Sequence, residues 1–307
     1  MHECDGAEAE ITRLPRAKVF AGLLILASVN GLAANIGQSV NQHGWLGAIL
    51  DTFGISVIVL VACMLGVAFI FSAKAGEMRA ADVAIGALCL ICVILPISQL
   101  SWVGITALCI FILLFTNIDQ AGRRGALILL ATTVPMLWSK LLFHFFAKFI
   151  LEIDAALVGW MLGTHRSGNM VEFSDHSGNL VILPACSSLA NMSLAFLCWV
   201  TVSQFVRHRW CPQDLLWCLL ACASVMAVNV TRISLMGLSQ SHYSEIHSPW
   251  GVQAGFEKDD RTTVLQVVHN PSFIAPYVAC IVVAAGLLVQ FGYHLVGFAR
   301  RRRTATA

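Results

Sequence analysis

The sequence predicts an all-α polytopic membrane protein, a bundle of about eight transmembrane helices with both termini cytoplasmic and a small β-hairpin-like outer loop. Three observations carry this. Of 307 residues, 58% are hydrophobic and only 12% charged, against about 45–50% and about 25% in ordinary soluble domains. Mean hydropathy is +0.77. Apolar runs recur along nearly the whole chain with short polar breaks between them, so one membrane domain fits better than the two soluble domains that length alone suggests. The formal net charge of +2 gives no global pull toward nucleic acid, and none is expected as a partner.

A membrane helix needs about 20 mostly apolar residues at 1.5 Å each. Such runs lie at 17–36, 46–72, 82–99, 101–117, 125–150, 187–206, 214–238 and 272–298. The first is long, contains Asn30 and Asn35, and has no small-residue cleavage site after a short apolar core, so it reads as a span and not as a cleaved leader. Residues 1–16 then form a cytoplasmic tail, 17–298 a single transmembrane domain, and 299–307 a basic cytoplasmic tail.

Orientation follows from Lys and Arg, which stay with cytoplasmic loops. With the N-terminus inside, the inner segments hold Arg13, Arg16 and Lys18, then Lys74 and Arg79, Arg123 and Arg124, Arg207 and Arg209, and Arg300 to Arg303. That is thirteen of the nineteen basic residues, and the first two outer turns have none. Only two outer segments are long, 151–186 and 239–271. The first opens as a possible interfacial helix, Leu151 to Leu162, and continues as two short apolar-rich runs around Ser177-Gly178-Asn179, a hairpin signal that delivers the chain to Cys186.

Eight of the eleven cysteines fall inside apolar runs, where a thiol packs as a small hydrophobe. Cys89 and Cys92 have redox or metal spacing but lack the soluble strand-turn-helix setting of such motifs. Cys4 and Cys211 are on the inner side. Cys186 is thus the one cysteine expected at the outer face, where the loop becomes the sixth span and Ser187 and Ser188 can cap the helix. A helix N-terminus and its free N–H groups favour a thiolate and can stabilise an oxyanion.

Arg232 is the stronger anomaly, since a guanidinium inside a span carries an insertion penalty of about 2.5–3.5 kcal/mol and is by default a functional hypothesis. It follows Asp214 by 18 residues, about 27 Å of helix, which brings it to the outer leaflet edge. Asn229, at i−3, shares its helix face and can orient it. His269 stands just before the last span and His247 lies in the loop before it; either can serve as acid or base. A nucleophile, a cationic stabiliser and a proton carrier therefore converge at one depth from three spans. No metal or cofactor is called for; only His144 and His294 lie in spans, near opposite faces, so no axial haem pair forms. The rival classes are a transporter in which Arg232 lines a substrate path, and a membrane acyltransferase with a cysteine nucleophile. A transporter predicts polar residues along the depth of several spans, whereas the ionisable residues here gather near the outer ends.

At these residues the sequence resembles the exosortase/archaeosortase family of polytopic membrane cysteine transpeptidases. That family's pattern, Cys-Ser-Gly opening a span, Asn-x-x-Arg in the next and His before a later one, is matched by Cys186-Ser187-Ser188, Asn229-Val230-Thr231-Arg232 and His269, over roughly residues 80–298. Ser188 replaces the usual glycine, and the insert 239–268 keeps His247 open as the alternative base. The resemblance implies an enzyme of the bacterial inner membrane that cleaves C-terminal sorting tails, made of a motif, a transmembrane helix and a basic cluster, from exported proteins. Cys186 would form the acyl-enzyme, Arg232 would stabilise charge, His269 would move protons, and an amine, a sugar-linked or lipid-linked acceptor, or water would release the product. The tail would dock from the bilayer, with Lys140, His144, Lys148 and Glu152 as a possible contact face.

Overall fold

A computed structural model of the chain describes residues 15–238 apart from 51, 75, 96, 184–186 and 207–211. Those residues are mostly helical, with α1 (Arg16–Leu50), α2 (Val57–Phe71), α3 (Ala80–Ile94), α4 (Ser98–Phe115), α5 (Gln120–Thr133), α6 (Ser139–Leu162), α7 (Ser188–Phe205) and α8 (Pro212–Met236). Five helical runs are long and apolar enough to cross a membrane: 16–50, 98–115, 120–162, 188–205 and 212–236; α2 and α3 are apolar but shorter, at 15 residues each. Many large apolar side chains face outward, among them Leu46, Met64, Leu114, Phe145 and Trp160. Water would penalise such a surface, and hydrocarbon suits it.

The chain divides into two units, 1–138 with 200–208, and 139–199 with 209–307. In the first, α1 packs on α2, α3 and α4, and α2 lies along α5. Small residues set that last contact: a Cβ on Gly125 would sit 2.5 Å from the Gly66 carbonyl oxygen, so the backbones approach as only glycine allows. Asn30 donates through Nδ2 to the Val93 carbonyl at 3.0 Å and to Ser101 Oγ at 2.9 Å, and the Trp102 indole donates to the Gly31 carbonyl at 3.2 Å, joining α1 to α3 and α4. At the start of α1, buried Arg16 lies 3.7 Å from buried Asp82, which also accepts from the Arg79 N–H at 2.9 Å to cap α3.

Two expectations about the spans need correcting. The run expected to cross at 46–72 is divided, because α1 extends to Leu50 through a bend at Gly44 (φ 68°), and the turn Thr52–Gly54 holds Thr52 and Phe53 at φ 50° and 56° before α2 begins. Left-handed backbone cannot continue a right-handed helix. The run expected to end at 150 with a separate interfacial helix is joined to it: one helical run extends from Gln120 to Leu162, interrupted within α6 by a kink at Phe146 (φ −120°, ψ 19°). Pro135 lacks an N–H and its ring crowds the carbonyl four residues back; the backbone meets this by widening into a π-turn over Val134–Trp138 instead of ending.

In the second unit, α6 packs on α8 and on a three-stranded antiparallel sheet of order β1-β2-β3: β1 (Arg166–Ser167), β2 (Met170–Glu172) and β3 (Asn179–Val181). Gly163 (φ 68°) ends α6 in the conformation that a helix C-terminus favours. Alternation along the strands turns Val171 and Leu180 inward, where with Phe173 and Ile182 they cover Leu151, Ala155 and Val158 of α6 and Val230 and Ile233 of α8. The sheet is tied down at both ends. Ser174 N–H donates to the Gly237 carbonyl at 3.0 Å, while Ile182 exchanges two bonds with Asn169, its N–H to the Asn169 carbonyl at 2.9 Å and the Asn169 side-chain amide to its carbonyl at 3.0 Å.

Candidate functional site

The start of α7 is built by three helices. Ser187 is the N-cap, its Oγ accepting from the Leu189 N–H at 3.3 Å, so one of the orphan donors of the first turn is met locally. The next donor is met from a distance: Ser188 N–H donates to Oδ2 of Asp154 on α6 at 3.0 Å. From α8, Asn229 Nδ2 donates to Ser188 Oγ at 3.0 Å. Asp154, Ser187, Ser188 and Asn229 are each 2% exposed, so these bonds lie where water does not compete.

The packing of each helix explains why these polar groups meet. On α6 the buried positions near the sheet are Leu151, Asp154, Ala155, Val158 and Gly159, the i, i+3, i+4, i+7 face of one helix. On α8 the buried stripe runs Asp214, Cys218, Ala221, Val225, Asn229 and Ile233. Asp154 and Asn229 thus occupy core positions among mostly apolar neighbours. Apolar contacts hold the helices, and the polar groups converge on Ser188.

Arg232 stands one turn beyond Asn229 on α8, half-buried, with its Nε closed to solvent. Beside the α7 start, a cavity of about 200 Å³ is lined by Ser139, Lys140 and Phe143 of α6 and by Ser187, Leu189 and Ala190. Lys140, His144 and Lys148 are exposed, and Lys148 Nζ is 4.0 Å from Glu152 Oε1.

Of the residues expected at the site, Ser187, Ser188, Asn229 and Arg232 are described; Asn229 is bonded to Ser188, and Ser187 caps the same helix start. Cys186, His247 and His269 lie outside the described residues. The expectation of free N–H groups at the α7 N-terminus is corrected in part: those of Ser188 and Leu189 are engaged by Asp154 and Ser187. An acidic side chain thus stands at the end of α7 where a helix favours negative charge. Asp154 was not anticipated. Its signal was present, as a lone acid on the apolar stripe of 151, 154, 155 and 158. Among the described residues no group of three or more His, Cys, Asp or Glu could hold a metal ion.

On the surface of the sheet, His176, itself at φ 58°, pairs through Nδ1 with Glu172 Oε1 at 2.8 Å. The hydrogen bond and charge of Glu172 raise the His176 pKa above its usual value, and the Ser177 hydroxyl and N–H lower that of Asp175. Both are fully exposed and belong to the turn, away from the α7 start.

Comparison with family models, with curated proteins and with solved structures finds no match for this chain.

Proposed function

We propose that this chain is a membrane-embedded cysteine peptidase or transpeptidase that removes C-terminal sorting tails from exported proteins at the extracytoplasmic face of a bacterial inner membrane, within a bundle of eight spans whose termini are cytoplasmic. One observation supports the reading above the others. The two motifs that carry the resemblance, Cys186-Ser187-Ser188 and Asn229-Val230-Thr231-Arg232, are linked by the buried 3.0 Å bond between Asn229 and Ser188, although 41 residues apart in the chain.

In this reading Cys186 Sγ, as thiolate, attacks the scissile carbonyl carbon of the substrate. Arg232 stabilises the thiolate and then the oxyanion of the tetrahedral intermediate. The C–N bond breaks, the tail leaves as an amine after taking a proton from His269 or His247, and a thioester on Cys186 remains. An amine or hydroxyl acceptor, lipid-linked or sugar-linked, or a water molecule then gives up a proton to the same histidine and attacks the thioester, which releases Cys186 as the thiolate beside the reprotonated histidine. The cavity bounded by Lys140, Phe143 and Ser187 is wide enough for a substrate side chain next to the residue that follows the nucleophile. The substrate tail, itself an apolar helix, reaches the site from the bilayer.

The test is Cys186→Ala and Arg232→Ala in the native host, with immunoblots for exported proteins that end in a hydrophobic segment and arginines. Accumulation of full-length precursors in both variants, at unchanged membrane levels of the enzyme, is the expected result. Unchanged processing would overturn the nucleophile assignment and move a transporter, with Arg232 lining its path, to the front.

A further inference from the structure

We infer that Asp154 is a positioning residue for this reaction, one that fixes the first peptide unit of α7 through its acceptor oxygen and not through its charge. The inference rests on the cysteine-peptidase reading. Ser188 is held at both of its polar groups, its N–H by Asp154 of α6 at 3.0 Å and its Oγ by Asn229 of α8 at 3.0 Å. The residue two places after Cys186 is thereby pinned to two helices that are themselves joined by the apolar cluster beneath the sheet.

The chemistry of the group argues for geometry over charge. A carboxylate beside a helix N-terminus stabilises that terminus, but a negative charge near a thiol opposes its ionisation. Asp154 is therefore badly chosen as an activator of Cys186 and well chosen as an acceptor. At 2% exposure no bulk water can take over the Ser188 N–H, so the donor has to be met by protein. An error in the direction of this peptide is passed to the adjoining residues of the chain, and reactions that depend on placement lose rate steeply with small displacements.

Asp154→Asn and Asp154→Ala separate the two contributions, because the asparagine side chain still offers a carbonyl oxygen to the Ser188 N–H and carries no charge. The full-length chain is expressed in the native host beside Cys186→Ala, and processing of exported proteins with hydrophobic, arginine-ended tails is followed by pulse-chase and normalised to membrane-resident enzyme. Alkylation of Cys186 by iodoacetamide is read on its peptide by mass spectrometry. Asp154→Ala should lower processing per enzyme at least tenfold, and Asp154→Asn should restore it to within about threefold of the unmodified chain. Cys186 alkylation should change less than processing in both. A role confined to folding would lower enzyme level and leave processing per enzyme unchanged, which would overturn the inference. So would Asp154→Asn as inactive as Asp154→Ala, since charge would then be the operative property. Should Asp154→Ala fail to accumulate, Asp154→Asn decides alone: within threefold supports the inference and a tenfold loss overturns it. Normal processing by Cys186→Ala removes the underlying reading and this inference with it, whereas an inactive Cys186→Ala beside a fully active Asp154→Ala refutes the positioning role only.

Discussion

The bond between Asn229 and Ser188 can be weighed directly by a double-mutant cycle. Asn229→Ala leaves Ser188 Oγ without this donor in a site 2% exposed, and Ser188→Ala removes the acceptor of the bond; each single change loses it, and leaving a buried polar group unmet costs about 1–3 kcal/mol. The double variant loses the same bond only once, so it should be less destabilised than the sum of the two. The difference is the coupling. Neutral buried hydrogen bonds contribute about 0.5–1.5 kcal/mol, and interhelical ones in membrane proteins average about 0.6 with a maximum of about 1.7. A coupling of about 1 kcal/mol is therefore expected, roughly a fivefold change in the folding equilibrium. The four chains would be unfolded in mixed micelles by increasing the fraction of a denaturing detergent, with helix content or steric trapping as the readout. Independent positions add to within about 0.3–0.5 kcal/mol. A coupling inside that range would mean that α7 and α8 do not meet at Ser188, and the junction on which the functional reading relies would be lost.

Two further outcomes test other parts of the molecule. Gly125→Ala should destabilise by about 1–3 kcal/mol, because its new Cβ falls 2.5 Å from the Gly66 oxygen and 2.9 Å from the Ile70 nitrogen, both backbone atoms; Gly22→Ala, which meets nothing within 4 Å, should be neutral or stabilise by up to about 1 kcal/mol, and equal effects in the same unfolding assay would refute the contrast. His176 should titrate above about 6.5 by NMR and fall back toward it in Glu172→Gln. Because the folded pKa is the higher one, the contribution of this pair to the stability of the turn is complete below about pH 6.5 and disappears as pH rises through the folded value; hydrogen exchange of the 173–178 amides that slows with rising pH, after correction for intrinsic rate, would contradict this.

How much of this could be read from residues alone differed by element. The helices α4, α7 and α8 announce themselves by long, mostly apolar runs, as burial in lipid or protein requires. The division between α1 and α2 does not, since Thr52 and Phe53 adopt left-handed backbone that neither residue type advertises. Pro135 lies within a long apolar run, and its consequence, a widened turn in place of a helix end, depends on what the neighbouring backbone tolerates. At the candidate site the residue types were legible and the wiring was not. Asn229 was legible as a companion of Arg232 by spacing, yet its amide reaches Ser188 on another helix. Asp154 falls in a segment whose sequence reads as an interfacial helix, where an acid asks no question; the spacing of Leu151, Ala155 and Val158 places it in a core.

The posts on either side of residues 183–187 turn chain length into a quantity the protein must keep. Ile182 is bonded twice to Asn169, and Ser188 is bonded to Asp154 and Asn229, so neither end can slide to absorb a change between them. An inserted or deleted residue between them therefore cannot be absorbed by a shift of Ile182 or of Ser188. Both posts are fixed to protein and not to the membrane surface, so the distance between them does not follow lipid thickness.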